Sequence, residues 1–367
     1  MKNTCFRLFA LVMLVALSAG MTLAQDDPVA TPEATETAAP ETDIVFIELA
    51  GPAAASEAEI SGLAWYGDYL VLLTENSFLY ATDEISGMLF ALEKEDILDY
   101  LASDSPEPLE PFPVPIYGPD IVDTVSGFEV AFDGFEAIVF VDAPNAFADD
   151  QVFLTIEADT VSEDDTSMRG YIVWGSVEED LRAIHLRLDR RIALPPQTPF
   201  DNMSYEALFV AGDKVVALYE ANGAGVNPAP QAYVIDLPSG EVSTIPLENI
   251  EFRVTDATQP DENGRLWVPN YFFPGEDFLA VDSDPIFERW GMGESQAEFD
   301  GYERLVALDY TEQGITIADV APIQLRMTAD SQGRNWEGIV RLDDRGFLIV
   351  TDRYPRTLLG FVPAGQQ

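Results

Sequence analysis

Tyr205-Glu206-Ala207-Leu208-Phe209-Val210-Ala211-Gly212-Asp213-Lys214-Val215-Val216-Ala217-Leu218-Tyr219-Glu220 is the stretch that decides the fold. Two β-rich runs flank the turn pair Gly212-Asp213, which predicts a hairpin with a carboxylate at each end. The plan recurs along the chain. Ser61-Gly62-Leu63 runs to Glu75 about Gly67-Asp68, and Asp256-Ala257-Thr258 runs to Asn270 about Asn263-Gly264. Glu337-Gly338-Ile339 runs to Asp352 about Asp343-Asp344-Arg345-Gly346, and Glu136-Ala137-Ile138 runs to Glu157 with an insertion. A hairpin folded about each midpoint is expected to set its end residues opposite one another, about 4.5–5.5 Å apart at Cβ. Like charges held so repel, and something must offset the repulsion.

Around Glu206 the runs Ala207–Ala211, Val215–Tyr219, Ala232–Ile235 and Val242–Ile245 predict four antiparallel strands, the unit of a propeller blade. Units of the same kind follow from Glu136, Asp256 and Glu337. The last unit ends one strand short, and Ile44–Leu49 is placed to supply it by pairing the two chain ends. Helical periodicity is confined to Glu93–Leu101. The expected fold is therefore all-β: a single propeller of five four-stranded blades over residues 44–363, with room for a sixth in the poorly patterned stretch 100–130. Pro106–Pro119 and Phe272–Gly301 read as candidate lids or rim loops, or as plain surface decoration.

Residues 1–24 read as a secretory signal, with Lys2 and Arg7 before the apolar run Phe9–Leu17 and Thr22-Leu23-Ala24 as the cleavage site. That implies a secreted or extracytoplasmic protein with no integral membrane span in the mature chain. Residues 25–43, rich in Pro, Thr, Ala and Glu, read as a disordered spacer. Cys5 is the only cysteine, so the mature chain has no disulfide or thiolate and must rely on a packed core. Loss of Lys2 and Arg7 leaves 17 of the 19 basic residues against 65 acidic, a net −48. Such a surface repels nucleic acid and anionic membrane, which makes both poor partners.

The repeated ends are expected to ring one mouth of the central channel: Ser61 with Glu75, Glu136 with Glu157, Glu206 with Glu220, Asp256 with Asn270, and Glu337 with Asp352. An oxygen-only ring suits a hard cation, Ca²⁺ before Mg²⁺, because calcium accepts irregular geometry and many ligands. The same groups could instead latch neighbouring blades by accepting their amides. The lone histidine, His185, alternates with Ile184 and Leu186 toward solvent, so Ser-His-acid and His-zinc chemistry have no support. Arg334 and Arg353 flank the last acidic pair and are candidate contacts for a phosphate or carboxylate.

Asn335-Trp336-Glu337-Gly338-Ile339 with Thr351-Asp352-Arg353, Tyr205-Glu206-Ala207-Leu208 with Glu220, and Ser61-Gly62-Leu63-Ala64-Trp65 with Glu75 resemble the phytase-like esterase family of secreted β-propellers. The pattern is shared with gluconolactonase-like propellers. The resemblance implies a calcium-assisted hydrolase of a phosphate ester or other ester. In that reading one of Glu206, Glu220 or Glu337 serves as general base. The rival expectation is a non-catalytic extracytoplasmic propeller whose acidic face binds a ligand or partner protein.

Overall fold

The computed structural model describes residues 38–142, 146–147, 151–160, 165–279, 281, 283–299, 301–328, 333–353 and 356–364. The expected signal segment and most of the expected spacer lie outside the described residues. The chain is predominantly antiparallel β, laid out in four sheets. The largest has nine strands. Ile60–Tyr66, Tyr69–Thr74, Gly87–Glu93 and Phe112–Tyr117 run in sequence order, as do Val130–Phe140, Val152–Thr160, Arg169–Val177 and Ile184–Leu186. The two runs join where Ile184 pairs in parallel with Ile116.

Ala207–Ala211, Lys214–Leu218, Gln231–Asp236 and Val242–Pro246 form a four-stranded meander, as their alternation predicts. Its first turn is made by Gly212 at φ 63°, a conformation that glycine takes without steric cost. Trp336–Leu342, Gly346–Thr351 and Leu359–Pro363 form three strands of another sheet, and Val45–Ile47 supplies the fourth, with Val45 opposite Phe361. The expected pairing of the chain ends is present. A six-stranded sheet built on Arg265–Phe272 and Tyr302–Thr311 completes the set.

Five hydrophobic cores link these units in a cycle. Val71 and Leu89 pack with Ile138 and Leu154. Val139 and Trp174 pack with Leu208 and Val215. Phe209 and Val216 meet Leu266 and Val306, and Trp267 and Leu305 meet Ile339 and Ile349. Val340 and Leu348 then return to Leu70 and Leu72. Each such side chain contributes about 1.5–3 kcal/mol on burial. Repeated around the cycle, that burial makes disulfides unnecessary.

Three expectations change. The folded part begins before Ile44. Glu41–Thr42 pairs in parallel with Gln324 and Leu325, and Glu41 accepts hydrogen bonds from Ser295 N (2.9 Å) and Oγ (2.6 Å). Acceptors in a Thr- and Glu-rich segment thus find donors on the body. The proline-rich stretch after Pro106 is not simply a loop. Phe112–Tyr117 is an outer strand that buries Val114 and Ile116, and its far edge is paired only at Ile116 and Tyr117, which suits its prolines. The stretch 100–130 supplies that strand and the short helix Ile121–Ser126 to the first unit. Lys94–Ala102 is helical, as its periodicity predicts, and His185 lies on an outer strand. His185 is exposed, stacked on Tyr117 at 5.2 Å and bonded to Glu178 at 2.8 Å.

Candidate functional site: a carboxylate-lined central cavity

The innermost strand of each unit begins near a common centre, where small residues follow the site position. An added Cβ at Gly62 would stand 3.2 Å from the Glu136 carbonyl oxygen, and one at Gly338 would stand 2.8 Å from Leu63 Cγ. Glycine is required there because inner strands of neighbouring units approach closely. Each ladder also slips at this point, between Ile60 and Gly62, between Phe135 and Ile138, and between Trp336 and Gly338. Ser61, Glu136 and Glu337 are therefore the unpaired residues of β-bulges, a device that re-aims a side chain out of its ladder.

The bulges correct the expected pairing. The closing residue of each hairpin lies across from the residue two places before the opener, not from the opener itself. Glu75 N bonds to Glu59 O (2.8 Å), Glu220 N to Ser204 O (2.8 Å) and Asp352 N to Asn335 O (3.2 Å). Glu157 pairs with Gly134, and Asn270 with Val254. The offset separates the paired charges along the strand and staggers them into the cavity.

That cavity measures about 350 Å³ and is lined by Ser61, Glu75, Glu136, Glu157, Glu206, Glu337, Asp352 and Arg353, all expected from the sequence. Asp133, Asn202, Arg253, Phe273, Glu276 and Asn335 line it as well and were not expected. Glu136, Glu157, Glu206 and Glu337 are each less than a tenth exposed. Burial, reinforced by the facing carboxylates, pushes all four well above the usual carboxylate range. Burial and then Glu59 push Glu75 up to about 8. Glu220 is raised by burial to about 7, with Arg253 pulling it back.

Several oxygens in this group have no hydrogen-bond partner in the protein: Glu157 Oε1, Glu220 Oε2 and Glu337 Oε2. Tyr271 donates to the other oxygen of Glu337 at 2.6 Å, while Glu220 is ion-paired with Arg253. An unpartnered buried carboxylate costs several kcal/mol when charged, so the group must hold protons or a cation. An oxygen-only donor set matches a hard cation. Among the described residues, no three acidic or histidine side chains stand close enough to form a ready-made metal site. Holding an ion would require these side chains to turn inward.

Four expected site residues are elsewhere. Glu220 is fully buried behind the lining, ion-paired with the cavity-lining Arg253. The Asp256 carboxylate is consumed by amides, accepting from Ala257 N (2.7 Å), Ile339 N (2.8 Å) and Leu63 N (3.4 Å). It latches its own segment to two neighbouring inner strands. Asn270 donates to the carbonyls of Glu251 (2.8 Å) and Arg253 (2.9 Å) and accepts from Arg304 Nε (2.7 Å). Arg334 is buried against Glu303 at 2.7 Å and does not line the cavity. Arg353 does line it, with half its side chain exposed and Nη1 on Glu59 Oε1 at 2.7 Å.

No family model matches this chain, and no curated protein matches it. Among solved structures, it is similar to an α-L-arabinofuranosidase from Lactobacillus brevis at 12% identity and TM-score 0.45, covering 86% of this chain and 92% of that one. RS223-β-xylosidase matches at 8% identity and TM-score 0.46, over 87% of this chain and 94% of that one. The soluble aldose sugar dehydrogenase of Escherichia coli matches at 11% identity and TM-score 0.38, over 88% and 99%.

Proposed function

We propose that this is a secreted hydrolase of phosphate esters or other esters, phytase-like in kind, with calcium held in the central cavity of a five-bladed propeller. The observation that carries the reading is the set of buried, mutually facing carboxylates at Glu136, Glu157, Glu206 and Glu337, with oxygens left unpartnered on Glu157 and Glu337. Those four, with Glu75 and Asp352 beside them, would hold the ion. Bound there, calcium would polarise the ester oxygen as a Lewis acid. Five cores that join the sheets cyclically support a count of five blades, with the nine-stranded sheet taken as two units.

The chain's own groups have separable tasks in this reading. Glu220, held near neutrality between burial and Arg253, is the carboxylate best matched to accept a proton at neutral pH. Glu337 is oriented by the Tyr271 hydroxyl, which fixes one oxygen and leaves the other without a partner. Arg353, at the exposed rim, offsets part of the negative field that an anionic substrate must cross.

One observation favours the alternative of a non-catalytic binding propeller: Glu220 already has an arginine partner, so its role can be purely structural. Calcium titration calorimetry, melting in EDTA and assay against phosphate and carboxylate ester panels test the two together. Calcium binding that raises the melting temperature and is weakened at least tenfold in Glu157→Gln and Glu337→Gln supports the cation site. Turnover lost in Glu220→Gln supports catalysis. Unchanged melting in EDTA with no calcium heat sinks the cation reading, and calcium binding without turnover leaves the binding module.

A further inference from the structure

We propose that Arg253 is the anion-recognising residue of the central cavity, and that Glu276 is a built-in carboxylate occupying its recognition edge until an anionic ligand displaces it. The inference deepens the proposed function and rests on its premise that the cavity receives an anionic ester. Arg253 lies on the two-residue strand Arg253–Val254 and is almost fully buried. Of the described cavity-lining residues, it and Arg353 are the cations.

The two sides of the Arg253 guanidinium are held differently. Nη1 is paired with Glu220, which is fully buried. The Nε–Nη2 edge is taken by Glu276, with Nε at 2.9 Å and Nη2 at 2.5 Å from Oε1, and Nε at 3.1 Å from Oε2. That edge is the fork that binds a carboxylate or phosphate through two donors at once. Glu276 therefore presents to Arg253 the same chemistry an anionic ligand would bring.

Glu276 also differs from Glu220 in being able to leave. Its side chain is 16% exposed, against 1% for Glu220. It sits on the segment Phe273–Leu279, which turns at Gly275 (φ 102°). The segment is fixed on both sides of Glu276: Phe273 forms cavity wall, Phe278 packs on Phe200 at 4.8 Å, and Leu279 is buried in a core. Release thus needs only rotation of the Glu276 side chain into water, with the backbone in place. Arg253 then keeps one carboxylate, Glu220, and offers its free fork to the ligand. The effective affinity for an anion is reduced by the fraction of time Glu276 occupies the fork.

Inorganic phosphate is the probe, titrated calorimetrically into wild type, Glu276→Ala, Glu276→Gln and the double variant Glu276→Ala/Arg253→Lys, in EDTA and again in calcium. The expected result is phosphate binding about tenfold tighter in Glu276→Ala than in wild type. Glu276→Gln should show a smaller gain, and the lysine double variant should lose it, because an ammonium lacks the planar fork. The inference is overturned if neither Glu276 variant binds phosphate more tightly, or if the gain survives Arg253→Lys. A gain seen equally in EDTA upholds the assignment even where calcium binding fails, so the two readings fail separately.

Discussion

Asp256 and Glu337 occupy equivalent repeat positions, each at the start of an inner strand and each followed by a small residue, yet they end in opposite states. Asp256 accepts three backbone amides, one from its own segment and two from neighbouring strands. Glu337 accepts one hydroxyl and leaves its second oxygen without a partner. Equivalent positions place a carboxylate at the centre of the fold; the donors within reach decide whether it becomes a latch or a ligand. The same contrast separates Arg334, locked on Glu303, from Arg353, half exposed at the rim.

Breaking the latched side should produce the largest effects. Arg334→Ala strands the buried carboxylate of Glu303, which also accepts from Trp336 Nε1 at 2.7 Å, and should cost about 3–5 kcal/mol. Asp256→Ala leaves the amides of Ala257, Ile339 and Leu63 without their acceptor and should cost about 3 kcal/mol. Urea denaturation measures both. Neither variant should change calcium or phosphate affinity in the protein that remains folded. A large affinity loss in Asp256→Ala would erase the distinction between latch and cavity.

The cavity side should respond in the opposite sense. Glu75 and Glu220 sit at about 8 and about 7 in the folded protein, both raised above the ordinary 4.5. A raised carboxylate stabilises the fold while protonated, so its contribution is complete below the ordinary value and is lost as pH rises through 7 to 8. Metal-free protein should thus have a lower urea midpoint at pH 8 than at pH 5. Glu157→Gln should flatten that slope and stabilise the metal-free protein at pH 8 by about 1–2 kcal/mol, since it removes a buried group that cannot stay charged without cost. A midpoint that rises with pH would show that the cavity carboxylates are already compensated.

How much of this was legible depends on how far apart in sequence the causes lie. The hairpins were readable because turn and alternation are local: Gly212-Asp213 and its flanking runs sit within sixteen consecutive residues. The pairing of Val45–Ile47 with the last strand followed from a unit that ended one strand short. The two-residue offset was not readable, because a bulge is a relation between strands, although Gly62 and Gly338 after the openers were its trace. Asp256 was misplaced because its acceptor role is set by Leu63 and Ile339, distant in the chain. Arg253, Asp133 and Glu276 escaped notice because they fall outside the repeated positions, yet they line the cavity. Arg253 stands three residues before an opener, and in so acidic a chain a basic residue there is a signal that can be sought.

The smallest effects should come from two exposed basic side chains that differ only in what they face. Arg353 and His185 each have about half of the side chain in water and each pairs with one glutamate, Glu59 and Glu178 respectively. Exposed pairs of this kind are worth about 0.2–1 kcal/mol, so neither Arg353→Ala nor His185→Ala should move the urea midpoint much. Stability therefore cannot distinguish them, but the field can. Arg353 lines the acidic cavity, and its loss leaves a more negative entrance. Phosphate association with Arg353→Ala should slow several-fold at low ionic strength, and the difference should shrink as salt screens the entrance. His185→Ala, on an outer strand, should match wild type at every salt concentration. Equal slowing in both variants would mean that the rim arginine has no local role in capture.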